Sequence, residues 1–264
     1  MKVLPLFTSQ FSIGKSILTL DKANENSDES GPDSIFSIAK EYGLKQIFLV
    51  EDSFGGTFQA LKNVGSVSSD TVLSLGFRCN FCSDIDAEND VLKSTTHKNV
   101  VFALNSQGYK DLIKFYSKAS TDNLRANKPY MDYSCVREFW TENLLLMVPF
   151  YDSFLHKNAL YDGSCNPDFS AFGSSIVFAI ESNDLPFDYL IERRINKYIS
   201  SNPFDTVRTK SIFYKRREDF DAWATLRLMN NRSFGYFKAS LKECNLPNCG
   251  SREFCMESWA EQNQ

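Results

Sequence analysis

The chain has 264 residues, of which 42% are hydrophobic and 23% are charged, and its formal net charge at pH 7 is −4. This composition is typical of a globular protein with a sizeable core, and the length suits one large domain or two small ones. The negative net charge excludes a global positive field that would recruit nucleic acid, although a local basic groove is compatible with it.

Hydropathy and cysteine content indicate the cellular compartment of the protein. No stretch approaches the roughly 18–20 continuous apolar residues of a membrane span. The N-terminus passes directly into a strand pattern, unlike a signal peptide. Seven cysteines is an odd number in a chain too large to need disulfide bonds, which favours reduced thiols. We therefore expect a cytoplasmic protein.

In the first half of the chain, strand and helix patterns alternate. Short apolar runs predict strands at 2–7, 46–50, 72–77 and 100–104. Helix patterns predict helices at 33–44, 57–61 and 107–119. The polar segment 21–32 has no periodicity and is typical of a loop.

The second half continues this alternation. Apolar runs predict strands at 144–148, 176–180 and 212–214, and a helix is predicted at 188–199. Short buried strands that alternate with helices indicate parallel βα units, in an α/β barrel or a doubly wound sheet. We predict one barrel over residues 1–232, followed by a C-terminal appendage at 233–264 that packs on the barrel or is partly disordered.

Six segments carry motifs that follow one another in an informative order. They are residues 9–13, 51–55, 75–78, 101–112, 128–132 and 207–214. The most specific, at 101–112, reads VFALNSQGYKDL and is similar to L-L-A-K-N-E-E-G-Y-x-N-L. By these motifs the chain, from about residue 3 to about residue 232, resembles the PHP (polymerase and histidinol phosphatase) domain of bacterial DNA polymerase III alpha subunits.

This resemblance implies a distorted (β/α)7 barrel of the PHP type, with parallel strands and outer helices. In that family the barrel holds a cluster of divalent ions, which polarise a phosphate and generate hydroxide. The fold class that we predict is therefore α/β, and the chemistry to be tested is metal-dependent phosphoester hydrolysis.

Carried over one position at a time, the family's first metal ligands fall on unsuitable residues. The two histidines of H-x-H fall on Leu6 and Thr8, and the aspartate after them falls on Lys15. The T-D-H-G turn falls on Glu51 and Asp52, with its histidine at Asp52. A leucine has no lone pair, and a lysine places a positive charge where a cation would bind.

The remaining ligand positions are changed in the same way. The glutamate of G-x-E falls on Arg78, and the histidine before the L-L-A motif falls on Lys98. The middle-strand ligand falls on Phe150, and the aspartate and histidine of N-D-x-H fall on Ser211 and Phe213. Two positive charges about 4 Å apart repel by roughly 4 kcal/mol at an effective dielectric of 20. We predict that the site binds no metal or other cofactor.

The histidine count agrees with this prediction. The chain has two histidines, His97 and His156, and neither occupies a mapped ligand position. One hypothesis is that Lys15, Arg78 and Lys98 replace the lost metals by pairing with Glu51 and Asp52. The alternative is that these long side chains extend to solvent.

Three functions are compatible with this pattern. The first is a catalytically inactive binding or scaffold module of DNA replication, with a replicative polymerase or another replisome protein as its partner in trans, in a viral or phage-like reduced genome. The second is a residual phosphoesterase or 3′–5′ exonuclease that uses Glu51, Asp52 and His97. The third is a polymerase-independent domain that binds protein or nucleic acid.

Two other groups of residues are candidate binding sites. Arg193, Arg194 and the run Lys215, Arg216, Arg217 are candidate contacts to a nucleic-acid backbone, although short basic runs are more often solvated surface. Cys79 and Cys82 form a C-x-x-C that, with Cys244 and Cys249, offers four thiolates for zinc. The spacing of the second pair is imperfect, so ordinary thiols are favoured.

Overall fold

A computed structural model describes residues 2–23, 31–160, 165–230 and 250–263. Within these ranges the strands are β1 (Leu4–Phe7), β2 (Gln46–Glu51), β3 (Val72–Cys82), β4 (His97–Ala103), β5 (Leu124–Arg125), β6 (Lys128–Asp132), β7 (Leu144–Val148), β8 (Ile176–Ile180) and β9 (Asp205–Ile212). The helices are α1 (Ile35–Glu41), α2 (Thr57–Asn63), α3 (Asn89–Thr95), α4 (Ser106–Thr121), α5 (Tyr133–Phe139), α6 (Phe154–Leu160), α7 (Asp188–Ser200), α8 (Phe220–Asn230) and α9 (Met256–Gln262). None of these helices combines the length and apolar character needed to cross a bilayer.

The chain divides into two compact units. The first unit comprises residues 1–74, 181–186 and 208–264, and the second comprises residues 75–180 and 187–207. Both units therefore combine segments that are distant in sequence.

In the first unit three parallel strands form the centre. Strand β1 pairs with β2 on one side and with β9 on the other, both in parallel. The register sets Phe7 opposite Leu49 and Ile212, and all three side chains are buried. Because parallel strands end at the same edge of a sheet, the residues that follow β1, β2 and β9 meet there.

The last described residues pack on this same unit. The indole N–H of Trp259, on α9, donates to the carbonyl of Val3 at 2.8 Å, and the amide of Val3 donates to the side chain of Asn263 at 3.0 Å. Tyr214 and Cys255 form a parallel bridge. Part of the predicted appendage is thus integrated into the first unit, while residues 231–249 lie outside the described residues. The predicted boundary at 232 stays a prediction.

The second unit has a mixed strand arrangement. Strand β4 lies between β3 and β7 and is antiparallel to both, whereas β7 is parallel to β8 and β3 is parallel to β6. The prediction of an α/β fold is confirmed, but the prediction of parallel strands throughout is wrong for the pairs β3–β4, β4–β7 and β5–β6, which are antiparallel. A strand that is buried on both faces has the same apolar run in either orientation, so its direction is not readable from the pattern.

Local signals explain where individual elements begin. The side chain of Asn105 caps α4 by accepting the amide of Gly108 at 2.8 Å, and Asp132 caps α5 by accepting the amide of Cys135 at 2.8 Å. Gly108 is required at its position, since a Cβ there would lie 2.3 Å from the carbonyl oxygen of Asn143. The strand predicted at 212–214 is misplaced, because β9 is already at its last residue at Ile212.

Candidate functional site

The candidate site is the edge of the first unit where β1, β2 and β9 end. Leu6 lies opposite both Phe48 on β2 and Ser211 on β9. Leu6 is buried among the core side chains, and Thr8 is buried and donates its hydroxyl to the carbonyl of Val50 at 3.1 Å. Neither side chain therefore offers a ligand for a metal ion.

Glu51 is a buried carboxylate at the last position of β2, with 3% of its surface exposed. One of its oxygens accepts the amide of Ser9 at 2.8 Å, and the other accepts a short hydrogen bond from the hydroxyl of Ser12. Burial raises the pKa of Glu51, and the hydrogen bonds from Ser12 and Ser9 oppose that rise. The carboxylate thus holds the segment 9–12 against the end of β2.

Asp52 forms an ion pair with a lysine of the same unit. The ammonium of Lys15 lies 2.7 Å from a carboxylate oxygen of Asp52, and both side chains are partly exposed. The amide of Asp52 also donates to the hydroxyl of Ser12 at 2.9 Å. Of the pairs that Lys15, Arg78 and Lys98 were expected to form with Glu51 and Asp52, the pair of Lys15 with Asp52 is present, and with this much exposure it contributes at most about 1 kcal/mol to stability.

A glycine positions the lysine of this pair. Gly14 has a φ of 74°, in the left-handed region that favours glycine, and a Cβ there would lie 2.3 Å from the side-chain nitrogen of Asn230. The carbonyl of Lys15 accepts the indole N–H of Trp223 at 2.7 Å. The loop that carries Ser12 and Lys15 is therefore fixed from the side of α8.

A second buried carboxylate, Glu181, was not predicted from the sequence. It directly follows β8, as Glu51 ends β2, and 4% of its surface is exposed. Its oxygens accept the amide of Ser211 at 3.0 Å, the hydroxyl of Ser211 at 2.9 Å and the side-chain amide of Asn183 at 3.0 Å. Thr209 also approaches, with its hydroxyl at 3.4 Å. Ser211, at a mapped ligand position, is thus a donor to a carboxylate.

Lys210 directly precedes Ser211 in sequence and is completely buried. Its ammonium donates to the carbonyl of Ser182 at 2.9 Å. Burial lowers the pKa of Lys210, and the nearby charges of Glu181 and Glu253 oppose that change. The first unit therefore contains a buried cation as well as buried carboxylates. We call Lys15, Glu51, Asp52, Glu181, Lys210 and Ser211 the strand-end cluster.

Phe213, on which the histidine of N-D-x-H falls, packs in an aromatic stack. Its ring is nearly parallel to that of Trp223, with centroids 5.8 Å apart, and it also stacks on Phe254 at 5.6 Å. The carbonyl of Phe213 accepts the hydroxyl of Ser16 at 2.9 Å. This position supports packing and has no metal-binding side chain.

In the second unit the mapped positions are Arg78, Lys98 and Phe150. Arg78 is half-buried on β3, opposite Val100. The ammonium of Lys98 lies 3.1 Å from the carboxylate of Asp152, so its observed partner is not the one predicted. Phe150 is fully buried. None of these three side chains is a metal ligand.

His97 belongs to an aromatic core, in which Phe81 stacks on its ring. Its Nδ1 lies 3.2 Å from the carbonyl of Thr95 and 3.4 Å from the sulfur of Cys165. Burial lowers the pKa of His97 to about 4 and raises the pKa of Cys165 to about 11. The pair is a neutral imidazole and a protonated thiol, so it has no activated nucleophile. The other histidine, His156, packs edge-on against Phe187.

The donor set does not fit the metal cluster that the family resemblance implies. In the ranges that the structure covers, no group of three or more histidine, cysteine, aspartate or glutamate side chains is arranged to hold an ion. Cys79 and Cys82 are three residues apart on β3, so they point to opposite faces of the strand and cannot share one ion. Cys244 and Cys249 lie outside the described residues.

The run Lys215, Arg216, Arg217 is paired with carboxylates of the first unit. Lys215 lies 2.9 Å from Glu41, and Arg216 lies 2.9 Å from Glu218. Arg217 contacts three glutamates around α9, which are Glu253 at 2.9 Å, Glu261 at 2.6 Å and Glu257 at 3.8 Å. The prediction that this run contacts nucleic acid therefore gains no support from the geometry.

Arg193 and Arg194 differ from that run. Both are exposed on α7 in the second unit, and with Lys197 they line a groove of about 630 Å³. Within the part of the chain that the structure describes, none of the three makes an ion pair. We call this groove the α7 groove.

No protein-family model matches the chain, and no curated protein matches it. The resemblance to the PHP domain therefore stays a prediction that rests on the motifs.

Proposed function

We propose that this chain is a PHP-like domain without a metal site, which acts as a binding or scaffold module in DNA replication. The observation that carries the proposal is the state of the two buried carboxylates at the strand ends. Glu51 and Glu181 accept their hydrogen bonds from serine, threonine and asparagine donors of the protein, and Lys15 neutralises Asp52. A cation would have to displace these donors and would be repelled by the ammonium group.

A barrel of the PHP type is the fold that we propose for the chain. The α/β composition and the parallel order of β2, β1 and β9 support it. The family's ligands fall on residues near the C-terminal ends of these strands, such as Leu6 on β1 and Ser211 on β9. The antiparallel pairs of β4 are a departure from the expected all-parallel arrangement.

The replication role and the polymerase partner rest on the family resemblance alone. Fold similarity does not by itself fix function. The test is direct binding of the purified chain to a purified replicative polymerase subunit, measured by co-elution in size-exclusion chromatography. Co-elution supports the proposal, and separate elution at micromolar concentrations of both proteins contradicts it.

A residual phosphoesterase is the less favoured function. It would need His97 together with Glu51 and Asp52, but His97 is enclosed by aromatic side chains and an adjacent thiol. Hydrolysis of a generic phosphodiester and of a 3′-labelled oligonucleotide, with Mn²⁺ or Zn²⁺ added, separates the two functions. We expect the same background rate for the wild type and for Asp52→Ala. A metal-dependent rate that is lost in Asp52→Ala would establish the enzyme.

A further inference from the structure

The α7 groove has two kinds of lining. One face of α7 contributes the cations Arg193, Arg194 and Lys197, and the C-terminal end of the helix adds the polar side chains of Ser201 and Asn202. An apolar wall includes Leu190 and Tyr198. Tyr198 is held by Phe154, at 5.3 Å between centroids. The groove therefore combines a positive stripe with a fixed aromatic edge.

The three cations are close together, and none of them forms an ion pair with a carboxylate in the described ranges. Arg193 and Lys197 are one helical turn apart, and Arg194 is three residues from Lys197. Like charges at this spacing destabilise a helix, each pair by a few tenths of a kcal/mol. No carboxylate lines the groove among the residues that the structure covers. An anion bound here would remove the repulsion.

The helix dipole does not account for all three cations. A basic residue in the last turn of a helix is stabilised by the negative end of the dipole, and the effect falls off beyond that turn. Lys197 is in the last turn of α7. Arg193 and Arg194 lie further from the end at Ser200. Helix stability therefore does not explain why arginines occupy positions 193 and 194.

The spread of charge along the helix favours a chain of anions over a single one. A site for one phosphate usually converges several donors on one point, often at a helix N-terminus, whereas these cations extend from the middle of α7 to its last turn. Proteins that bind single-stranded nucleic acid combine a positive groove with aromatic side chains. We propose that the α7 groove binds the backbone of single-stranded nucleic acid, with Arg193, Arg194 and Lys197 on its phosphates. This inference is independent of the metal-free function proposed above.

The first test is the salt dependence of binding. A fluorescein-labelled oligodeoxythymidine is titrated with the full chain, and anisotropy is measured from 50 to 200 mM NaCl. Three phosphate contacts predict a slope of log K against log salt of about −2, which is a loss of about 20-fold in affinity over this range. A slope near zero, or no binding at 50 mM NaCl, would overturn the proposal.

The second test compares two triple variants that remove the same charge. Arg193→Ala with Arg194→Ala and Lys197→Ala is expected to weaken binding by about tenfold or more, and to flatten the salt slope. The control combines Lys62→Ala, Lys110→Ala and Lys114→Ala, which are exposed helical lysines outside the groove. The control should bind as the wild type does. Equal losses in the two variants would show non-specific attraction and would contradict the groove.

Competition identifies the ligand class. Unlabelled single-stranded DNA should displace the probe, whereas inorganic phosphate at the same phosphate concentration should not. Displacement by phosphate alone would indicate a site for one small anion, and tighter binding of duplex than of single strands would contradict the single-strand proposal. Circular dichroism confirms that each variant is folded.

Discussion

The charged side chains of the strand-end cluster, in the first unit, have partners within the protein. Those of the α7 groove, in the second unit, form no ion pairs among the described residues. In the cluster, Glu51 and Glu181 accept hydrogen bonds from the protein, and Asp52 has Lys15 as its partner. In the groove, three cations have no carboxylate among the described residues. Charges with partners stabilise the fold, whereas charges without partners are available to a ligand.

The two basic segments show that the sequence next to an arginine does not reveal whether the arginine has an ion-pair partner. Both are short runs of positive residues, so both were candidates for contact with nucleic acid, although solvated surface is the more common role of such runs. Arg217 is neutralised by Glu253, 36 residues further along, while Arg193 forms no ion pair with any residue that the structure describes. The difference arises from tertiary contacts between residues that are distant in sequence.

The largest effect is expected from loss of a carboxylate in the strand-end cluster. Glu181→Ala leaves the amide of Ser211 and the side chain of Asn183 buried without their acceptor, which should destabilise the protein by about 3 kcal/mol. Thermal unfolding should show a fall in Tm of roughly 6–12 °C.

The control for this variant is Glu142→Ala, because Glu142 is exposed. Its Tm should match that of the wild type within about 1–2 °C. If Glu181→Ala were as stable as Glu142→Ala, the cluster would not be a structural network.

A smaller effect is expected from Arg217→Ala, in direct comparison with Arg216→Ala. Arg217 contacts Glu253 through two parallel hydrogen bonds of 2.9 Å, so its loss should cost about 1–2 kcal/mol. The pair of Arg216 with Glu218 is largely exposed and should contribute less than about 0.5 kcal/mol. Urea unfolding of both variants gives the two values, and equal values would contradict the difference in burial.

The same arginine gives a pH dependence. Hydrogen bonds from Arg217 lower the pKa of Glu253 from 4.5 to about 2. A carboxylate with a lowered pKa stabilises the fold above its unfolded value, and this stabilisation is lost as pH falls from 4.5 towards 2. The Tm of the wild type should therefore fall more steeply across that window than the Tm of Arg217→Ala. Parallel curves would contradict the assignment.

A third, smaller effect is expected from Glu51→Gln, with the opposite pH dependence. Because burial raises the pKa of Glu51, its protonated form stabilises the fold at low pH, and this stabilisation is lost as pH rises above 4.5. Glutamine is neutral and still accepts the amide of Ser9. The Tm of the variant relative to the wild type should rise between pH 4 and pH 8. A fall would show that the ionised carboxylate is needed.

The smallest effect on stability is expected in the α7 groove. The triple alanine variant of Arg193, Arg194 and Lys197 should change the free energy of unfolding by less than about 0.5 kcal/mol, because these side chains are exposed and form no ion pairs with the described part of the chain. A large loss of stability would mean that they have structural partners, and the groove would then resemble the strand-end cluster.

Elements with long apolar runs could be predicted from the sequence. The strands predicted at 144–148 and 176–180 coincide with β7 and β8, and the helix predicted at 188–199 is α7 to within one residue. The seven-residue helices α3 and α5 were not predicted, whereas α1, of the same length, was predicted from its cap and its apolar face. Strand β9 was largely missed because the buried Lys210 interrupts its apolar pattern.

The candidate site was only partly predictable. A carboxylate at the end of a buried apolar run marks Glu51 and also Glu181, but only Glu51 lies in a motif of the PHP resemblance. The donors to these carboxylates could not be predicted, since Ser211 is 30 residues from Glu181 and Ser12 is 39 residues from Glu51. Such pairings depend on the strand order, which a single sequence does not specify.

The central claim is that the charged groups of the strand-end cluster are paired or hydrogen-bonded within the protein, so that the cluster binds no metal. Metal analysis of the purified chain tests this claim most directly. The protein is dialysed against Mn²⁺ and Zn²⁺, desalted and measured by elemental analysis, beside Glu51→Gln and Asp52→Ala. We predict only trace metal in all three proteins. One tightly bound ion per wild-type chain that is absent from both variants would contradict it.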